Sequence, residues 1–180
     1  MFNYIMHVKN TLTEYGLISK LLHWVSALLL IIQIPLGFYL VDLDFGTDRL
    51  SIENIHIVIG LSIFYLVILR LIIKIINPTP KLEPSIFKGQ RILALLNHVL
   101  LYVTILSITI SGVFKKLFNG ETLIIFFKKI KINDNFEQAE LFYEIHVLSN
   151  YLMIGLIALH ISAVIIHKFF FNENLLKKIL

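Results

Sequence analysis

Four long stretches of the chain are almost free of charge and alternate with short polar segments. Three of them have 21 or 23 residues without a formal charge, over residues 21–41, 92–114 and 145–167. A helix of about 20 apolar residues crosses a hydrocarbon core of about 30 Å. Each of the three stretches is therefore long enough to span a membrane as a helix.

The fourth stretch, residues 54–69, is shorter. It reaches about 23 residues when Arg70 and Lys74 extend their charged ends toward a headgroup layer. The alternating segments of about 10 residues that transmembrane strands require are absent. The pattern predicts an all-α integral membrane protein, a four-helix bundle running up-down-up-down. We expect the chain to form one domain over residues 1–180, with helices over approximately 20–41, 53–76, 91–114 and 142–168.

Composition supports the membrane assignment and excludes several kinds of chemistry. Hydrophobic residues make up 57% of the chain and charged residues 16%, where soluble domains have about 25%. The absence of cysteine excludes disulfides, a thiol catalyst, an iron–sulfur cluster and a zinc–cysteine site. A scattered net charge of +4 gives no indication of nucleic-acid binding.

Basic residues predict the direction of the helices, because cytoplasmic segments are enriched in Lys and Arg. The two terminal segments and the second loop together hold ten of them, and the opposite side holds six. Both termini are expected in the cytoplasm. Within the third loop, roughly Phe114 to Leu141, we expect an interfacial helix at Thr122–Phe127. The lysines of this loop are expected to be solvated or to contact lipid, with attraction of a small anion as the alternative.

Histidines are the one chemically active residue type inside the apolar stretches. Ionisable residues are costly to bury in a membrane and indicate a function there. The spans offer few carboxylates for a proton relay, whereas neutral imidazoles bind metals. His7 and His167 are expected to be solvated or interfacial. The candidate ligands are His23, His56, His98, His146 and His160.

The spacing of these histidines suggests two separate sites. His56 and His146 lie at matching depth near the predicted outer face. His160 follows His146 by 14 residues, which is about 21 Å along a helix and within about 40° of the same face. Either His23 or His98 is positioned to face His160, and depth slightly favours His98. Imidazole pairs at two depths suit two haems stacked across the bilayer and specialised for electron transfer.

Several motifs of the chain occur together in one known family. They are KLLHW at 20–24, IH at 55–56 followed by Gly60 and LR at 69–70, NPTP at 77–80, NHVLLY at 97–102, EIH at 144–146 and GLIALH at 155–160. In this order and spacing the chain resembles the bacterial cytochrome b561 family over nearly its whole length.

The resemblance implies a bacterial inner-membrane protein with two haem b groups. It implies that His23 pairs with His160 on the cytoplasmic side and His56 with His146 on the periplasmic side, and so assigns His23 where spacing left His98 open. His98 then becomes a neighbour of the ligands or of a quinone. From its position alone, Arg70 is expected to be an anchor that extends its charge to the headgroup layer or, if functional, to hold haem propionates or an anionic ligand.

The resemblance also implies electron transfer to the quinone pool. The leading hypothesis is a superoxide:ubiquinone oxidoreductase, with ubiquinone as acceptor. The alternative is a haem-binding anchor subunit that relays electrons from a periplasmic dehydrogenase or hydrogenase as redox partner. A haem-free scaffold or transporter is a third class, although no charged or broken mid-span segment provides a solute site.

Overall fold

The computed structural model describes residues 7–80, 89–171 and 174–180. Lys81 and Lys88, which count toward the predicted cytoplasmic charge, lie outside the described residues. The elements are α1 (Leu17–Asp42), α2 (Thr47–Ile76), α3 (Gln90–Phe118), β1 (Leu123–Ile125), β2 (Lys128–Ile130), α4 (Phe136–Phe170) and a short 3-10 helix, Leu175–Lys178. All four α-helices are long and apolar enough to cross a membrane. The predicted all-α membrane class with four long apolar helices is confirmed.

The helices are longer than the charge-free stretches that predicted them. They have 26, 30, 29 and 35 residues, which corresponds to about 39–52 Å at 1.5 Å per residue. The first turns of α2 and α4 carry Asp48 and Glu137, which favour a helix N-terminus through its dipole. The side-chain oxygen of Asn135 accepts from the Gln138 backbone N–H and so caps α4. Uncharged stretches therefore underestimate the length of these helices, because their first turns carry polar and charged residues.

The chain divides into two compact units, residues 1–94 with 161–180, and residues 95–160. In the first unit α1 packs along α2. The Gln33 side-chain amide of α1 donates to the backbone oxygen of His56 in α2, at 2.9 Å. Gly60 lies against this amide, since a Cβ at Gly60 would be 3.2 Å from Gln33 Nε2. A small residue and an interhelical hydrogen bond are the usual means of joining helices in lipid.

Both terminal segments contact the same end of the first unit. The Asn10 side-chain oxygen accepts from the Gly16 N–H and the Ser19 hydroxyl, and its amide donates to the Pro78 carbonyl just beyond α2. The Trp24 indole N–H, early in α1, donates to the Ile179 carbonyl at 2.9 Å. The residues before α1 and those after the 3-10 helix therefore meet at one end of α1 and α2.

The second unit contains most of α3 and the first two thirds of α4. Hydroxyls of Ser107 and Ser149 are 2.9 Å apart and link the two helices. Toward the connecting loop, Phe114, Phe118 and Phe142 stack with ring centres 5.0–5.9 Å apart. This aromatic stack packs the end of α3 against the first turns of α4.

The expectation of an interfacial helix at Thr122–Phe127 is wrong. The segment forms a hairpin in which β1 pairs antiparallel with β2, with Leu123 opposite Ile130 and Ile125 opposite Lys128. Six residues are too few to offset the cost of nucleating a helix, and β-branched isoleucines favour strands. Phe126 and Phe127 form the turn with φ of 48° and 62°.

Candidate functional site

The two histidines predicted near the outer face each pack against a glycine of the preceding helix. His56 of α2 lies over Gly37 of α1, where a Cβ would be 3.3 Å from the imidazole Cε1. His146 of α4 lies over Gly112 of α3, where a Cβ would be 3.1 Å from both Cε1 and Nδ1. Each glycine leaves the room that a flat imidazole occupies inside its own helix pair.

The His146 ring is oriented by a hydrogen bond to the backbone of α3. Its Nδ1 lies 2.8 Å from the Ile108 carbonyl oxygen. Because a carbonyl only accepts, Nδ1 carries the hydrogen, and the lone pair of Nε2 is available to a metal. A ligand histidine that donates its other N–H to a carbonyl is the usual arrangement at metal sites. His146 therefore fits axial ligation of haem iron through Nε2.

His23 of α1 contacts Arg70 of α2 within the first unit. Arg70 Nη2 donates to His23 Nδ1 at 3.1 Å, and the Trp24 ring packs edge-on at 5.3 Å. Since a guanidinium only donates, the neutral His23 ring in this arrangement carries its hydrogen on Nε2. Binding iron through Nε2 requires Arg70 to release Nδ1. Arg70, expected as an anchor or as a partner of haem propionates, therefore contacts His23 in the first unit.

His98 of α3 and His160 of α4 contact each other directly in the second unit. Their ring centres are 5.1 Å apart and their planes are perpendicular. At a metal–nitrogen distance of about 2.0 Å, two imidazoles on opposite sides of one ion have ring centres more than about 6 Å apart. The contact is therefore closer than an axial pair, and it makes His98 a neighbour of the His160 ring.

A cleft opens one helical turn beyond the contact between His146 and Gly112. Lys115 follows Gly112 by three residues, and Tyr143 precedes His146 by three. Asn119 and Glu140 supply further polar groups, and the cleft is lined by Lys115, Asn119, Phe136, Ala139, Glu140 and Tyr143. A basic side chain, Lys115, and an acidic one, Glu140, thus lie beside His146 on the side of the third loop.

Sequence reasoning did not identify Gln33, Gly37 or Gly112 as parts of these sites. An amide in an otherwise apolar span and glycines inside spanning helices are the available signals, since both mark close helix contacts. His167, expected at an interface, accepts from the Gln90 amide at 3.2 Å. His7 is exposed.

The chain resembles known proteins over most of its length. Residues 14–180 match the family described as prokaryotic cytochrome b561. The chain is also similar to cytochrome b561 homolog 2 of Escherichia coli (strain K12), with 27% identity over 179 residues that cover 97% of this chain and 95% of that protein. The chain therefore belongs to the prokaryotic cytochrome b561 family and is a membrane electron carrier that uses haem b.

Proposed function

We propose that the chain holds two haem b groups, with His56 and His146 as axial ligands of one and His23 and His160 as ligands of the other. The observation that carries this proposal is the His146 imidazole, whose Nδ1 hydrogen is held by the Ile108 carbonyl so that Nε2 is available. The 14-residue separation of His146 and His160 supports two sites at different depths. The assignment of partners rests on the family resemblance.

The residues around these ligands set their orientation. Haem b, when bound, would supply one-electron redox chemistry. Gly37 and Gly112 leave space for the His56 and His146 rings, and the Ile108 carbonyl fixes the rotation of the His146 ring. A ring held in this way changes little between redox states, which suits a carrier.

Arg70 is the proposed counter-ion of a haem propionate. A carboxylate is a stronger acceptor for a guanidinium than a neutral imidazole, because the hydrogen bond is then charge-assisted on both sides. With Arg70 turned toward a propionate, His23 would carry its hydrogen on Nδ1 and would have the Nε2 lone pair for iron.

Replacing Gly112 by alanine is expected to disturb the His146 site. The new methyl group meets the imidazole at 3.1 Å, so the ring has to shift and its hydrogen bond to Ile108 weakens. Overpacking of this kind costs about 1–3 kcal/mol. We expect a lower thermal midpoint and an altered low-spin EPR signal from one haem, measured on purified protein.

Gly155→Ala in α4 is the matched control. It is the same substitution inside a spanning helix, and a Cβ at Gly155 meets nothing within 4 Å. We expect this variant to keep the wild-type spectrum. If both alanine variants behave alike, the contact between Gly112 and His146 does not hold the ligand.

We further propose that the electron donor is superoxide and the acceptor ubiquinone, in the bacterial inner membrane with both termini in the cytoplasm. Two superoxide anions give up two electrons and become dioxygen, and the quinone takes these electrons with two protons to become quinol. Lys115 in the cleft beside His146 supports an anionic donor, since a cation raises the local concentration of small anions. Glu140 in the same cleft opposes this attraction, so the effect has to be measured.

The experiment is a stopped-flow visible spectrum of the oxidised protein mixed with superoxide. We expect prompt reduction, slowed by salt and slowed up to about tenfold in Lys115→Gln. Lys131→Gln, in the same loop but outside the cleft, is the matched control and should react like the wild type. Haems that stay oxidised would contradict superoxide as donor and favour an anchor subunit for a periplasmic dehydrogenase or hydrogenase.

A further inference from the structure

The hairpin between α3 and α4 presents large apolar side chains at its tip. Phe127 is fully exposed and Phe126 is 67% exposed, and Ile124 on the outward face of β1 is also exposed. Leu123 is buried at the base of β1. The apolar surface therefore lies at the turn and outward face, away from the base that joins the hairpin to the helices.

The turn itself does not account for the two phenylalanines. Both have positive φ, 48° and 62°, which is the conformation of a type I′ turn. Such turns favour Asn-Gly, because an L residue with a bulky side chain is disfavoured in the left-handed region. Two phenylalanines at these positions weaken the turn, so the residue preference of the turn does not explain why they are there.

The connections keep the hairpin close to the membrane surface. Lys115 ends the uncharged stretch of α3, and Phe118 ends the helix about 5 Å further on. The polar headgroup layer is about 5–7 Å thick on each side of the hydrocarbon core. β1 begins five residues after Phe118, so only a short connection joins the hairpin to the end of α3.

Charge on the hairpin complements an anionic surface. Lys128 and Lys129 directly follow the two phenylalanines and Lys131 follows β2, and all three are exposed. Residues 122–131 contain no acidic side chain. Aromatic rings beside lysines are the composition of segments that lie in the bilayer interface, where each basic residue adds attraction to anionic lipid.

We infer that the hairpin is a membrane-surface anchor, in which Phe126 and Phe127 insert among the lipid headgroups and Lys128 and Lys129 bind anionic lipid. The inference is independent of the haem ligands and of the electron donor. It assigns to the hairpin a role in fixing the ends of α3 and α4 at the bilayer surface.

The test uses nitroxide labels on single cysteines, which the cysteine-free chain allows without further substitution. Phe127→Cys reports the tip, Asn133→Cys an exposed site of the same loop, and Val103→Cys a lipid-facing site of α3. The haem-loaded protein is placed in nanodiscs of phosphatidylcholine, alone or with phosphatidylglycerol. We expect the label at 127 to collide more with oxygen than with a nickel chelate, as at 103, and the label at 133 to show the reverse.

Two further variants separate the parts of the inference. Lysine binding to anionic lipid should place the label at 127 deeper in nanodiscs with phosphatidylglycerol than in phosphatidylcholine alone. With Lys128→Gln and Lys129→Gln added, this difference should disappear. Phe126→Asn with Phe127→Gly keeps a favoured turn but removes both rings, so a label at Ile124→Cys should move toward water in that background. A tip label that is water-exposed in both lipids overturns the inference. A tip label that is water-exposed but becomes less mobile as the protein concentration rises also overturns it. In that case the partner of the hairpin is a second copy of the chain.

Discussion

Replacement of His146 by alanine is expected to remove one haem and leave the other bound. Alanine has no side-chain atom that can bind iron, so the ligand at this position is lost. The haem-to-protein ratio should fall from about 2 to about 1, since an axial imidazole pair is broken at one iron only. His56→Ala should lose the same haem. The measurement is the pyridine haemochrome assay together with a redox titration of the haem that remains.

His160→Ala should remove the other haem, which the titration identifies by its different midpoint potential. His167→Ala is the matched control on the same helix, because His167 interacts with Gln90 near the end of α4. It should keep both haems. Loss of the same haem in His146→Ala and His160→Ala would contradict two sites on α4. If His146→Ala loses both haems, His146→Gln tests whether the alanine variant has lost its fold. Glutamine keeps a polar side chain of similar length, so this variant should still retain the other haem.

The membrane fold could be predicted because the bilayer imposes a length on apolar segments. Uncharged stretches such as residues 92–114 identify a span without any knowledge of its neighbours. The ends of the helices could not be predicted in the same way, since Glu137 and Asn135 stabilise the start of α4 outside the apolar region. The β1–β2 hairpin was missed because its isoleucines and phenylalanines suit an interfacial helix equally well by hydropathy.

The sequence indicates only those candidate site residues whose side chains can bind a metal or carry a charge. Histidines in apolar spans are visible in the sequence, and so is Arg70. Gly37 and Gly112 act by having no side chain, which gives no chemical signal. The Ile108 carbonyl is a backbone group, and its hydrogen bond with His146 depends on the packing register of α3 against α4. That register follows from side-chain packing along the whole helix pair.

The partner of His160 is tested by alanine variants of His23 and His98. We expect His23→Ala to lose one haem and His98→Ala to keep both, because the family resemblance assigns His23 as the partner of His160. Removing the His98 ring frees the His160 ring to rotate. The low-spin EPR signal of the haem that His160→Ala loses should therefore shift in His98→Ala, while the haem-to-protein ratio stays at about 2.

The opposite result has an equally definite meaning. If His98→Ala loses a haem and His23→Ala keeps both, His98 and His160 are the axial pair, and their rings must separate by more than about 1 Å to admit the iron. His23 would then remain with Arg70 as its hydrogen-bond partner and carry its hydrogen on Nε2. Arg70→Gln is a further test: if His23 is a ligand with Arg70 as propionate counter-ion, this variant should shift the potential of the haem that His23→Ala loses.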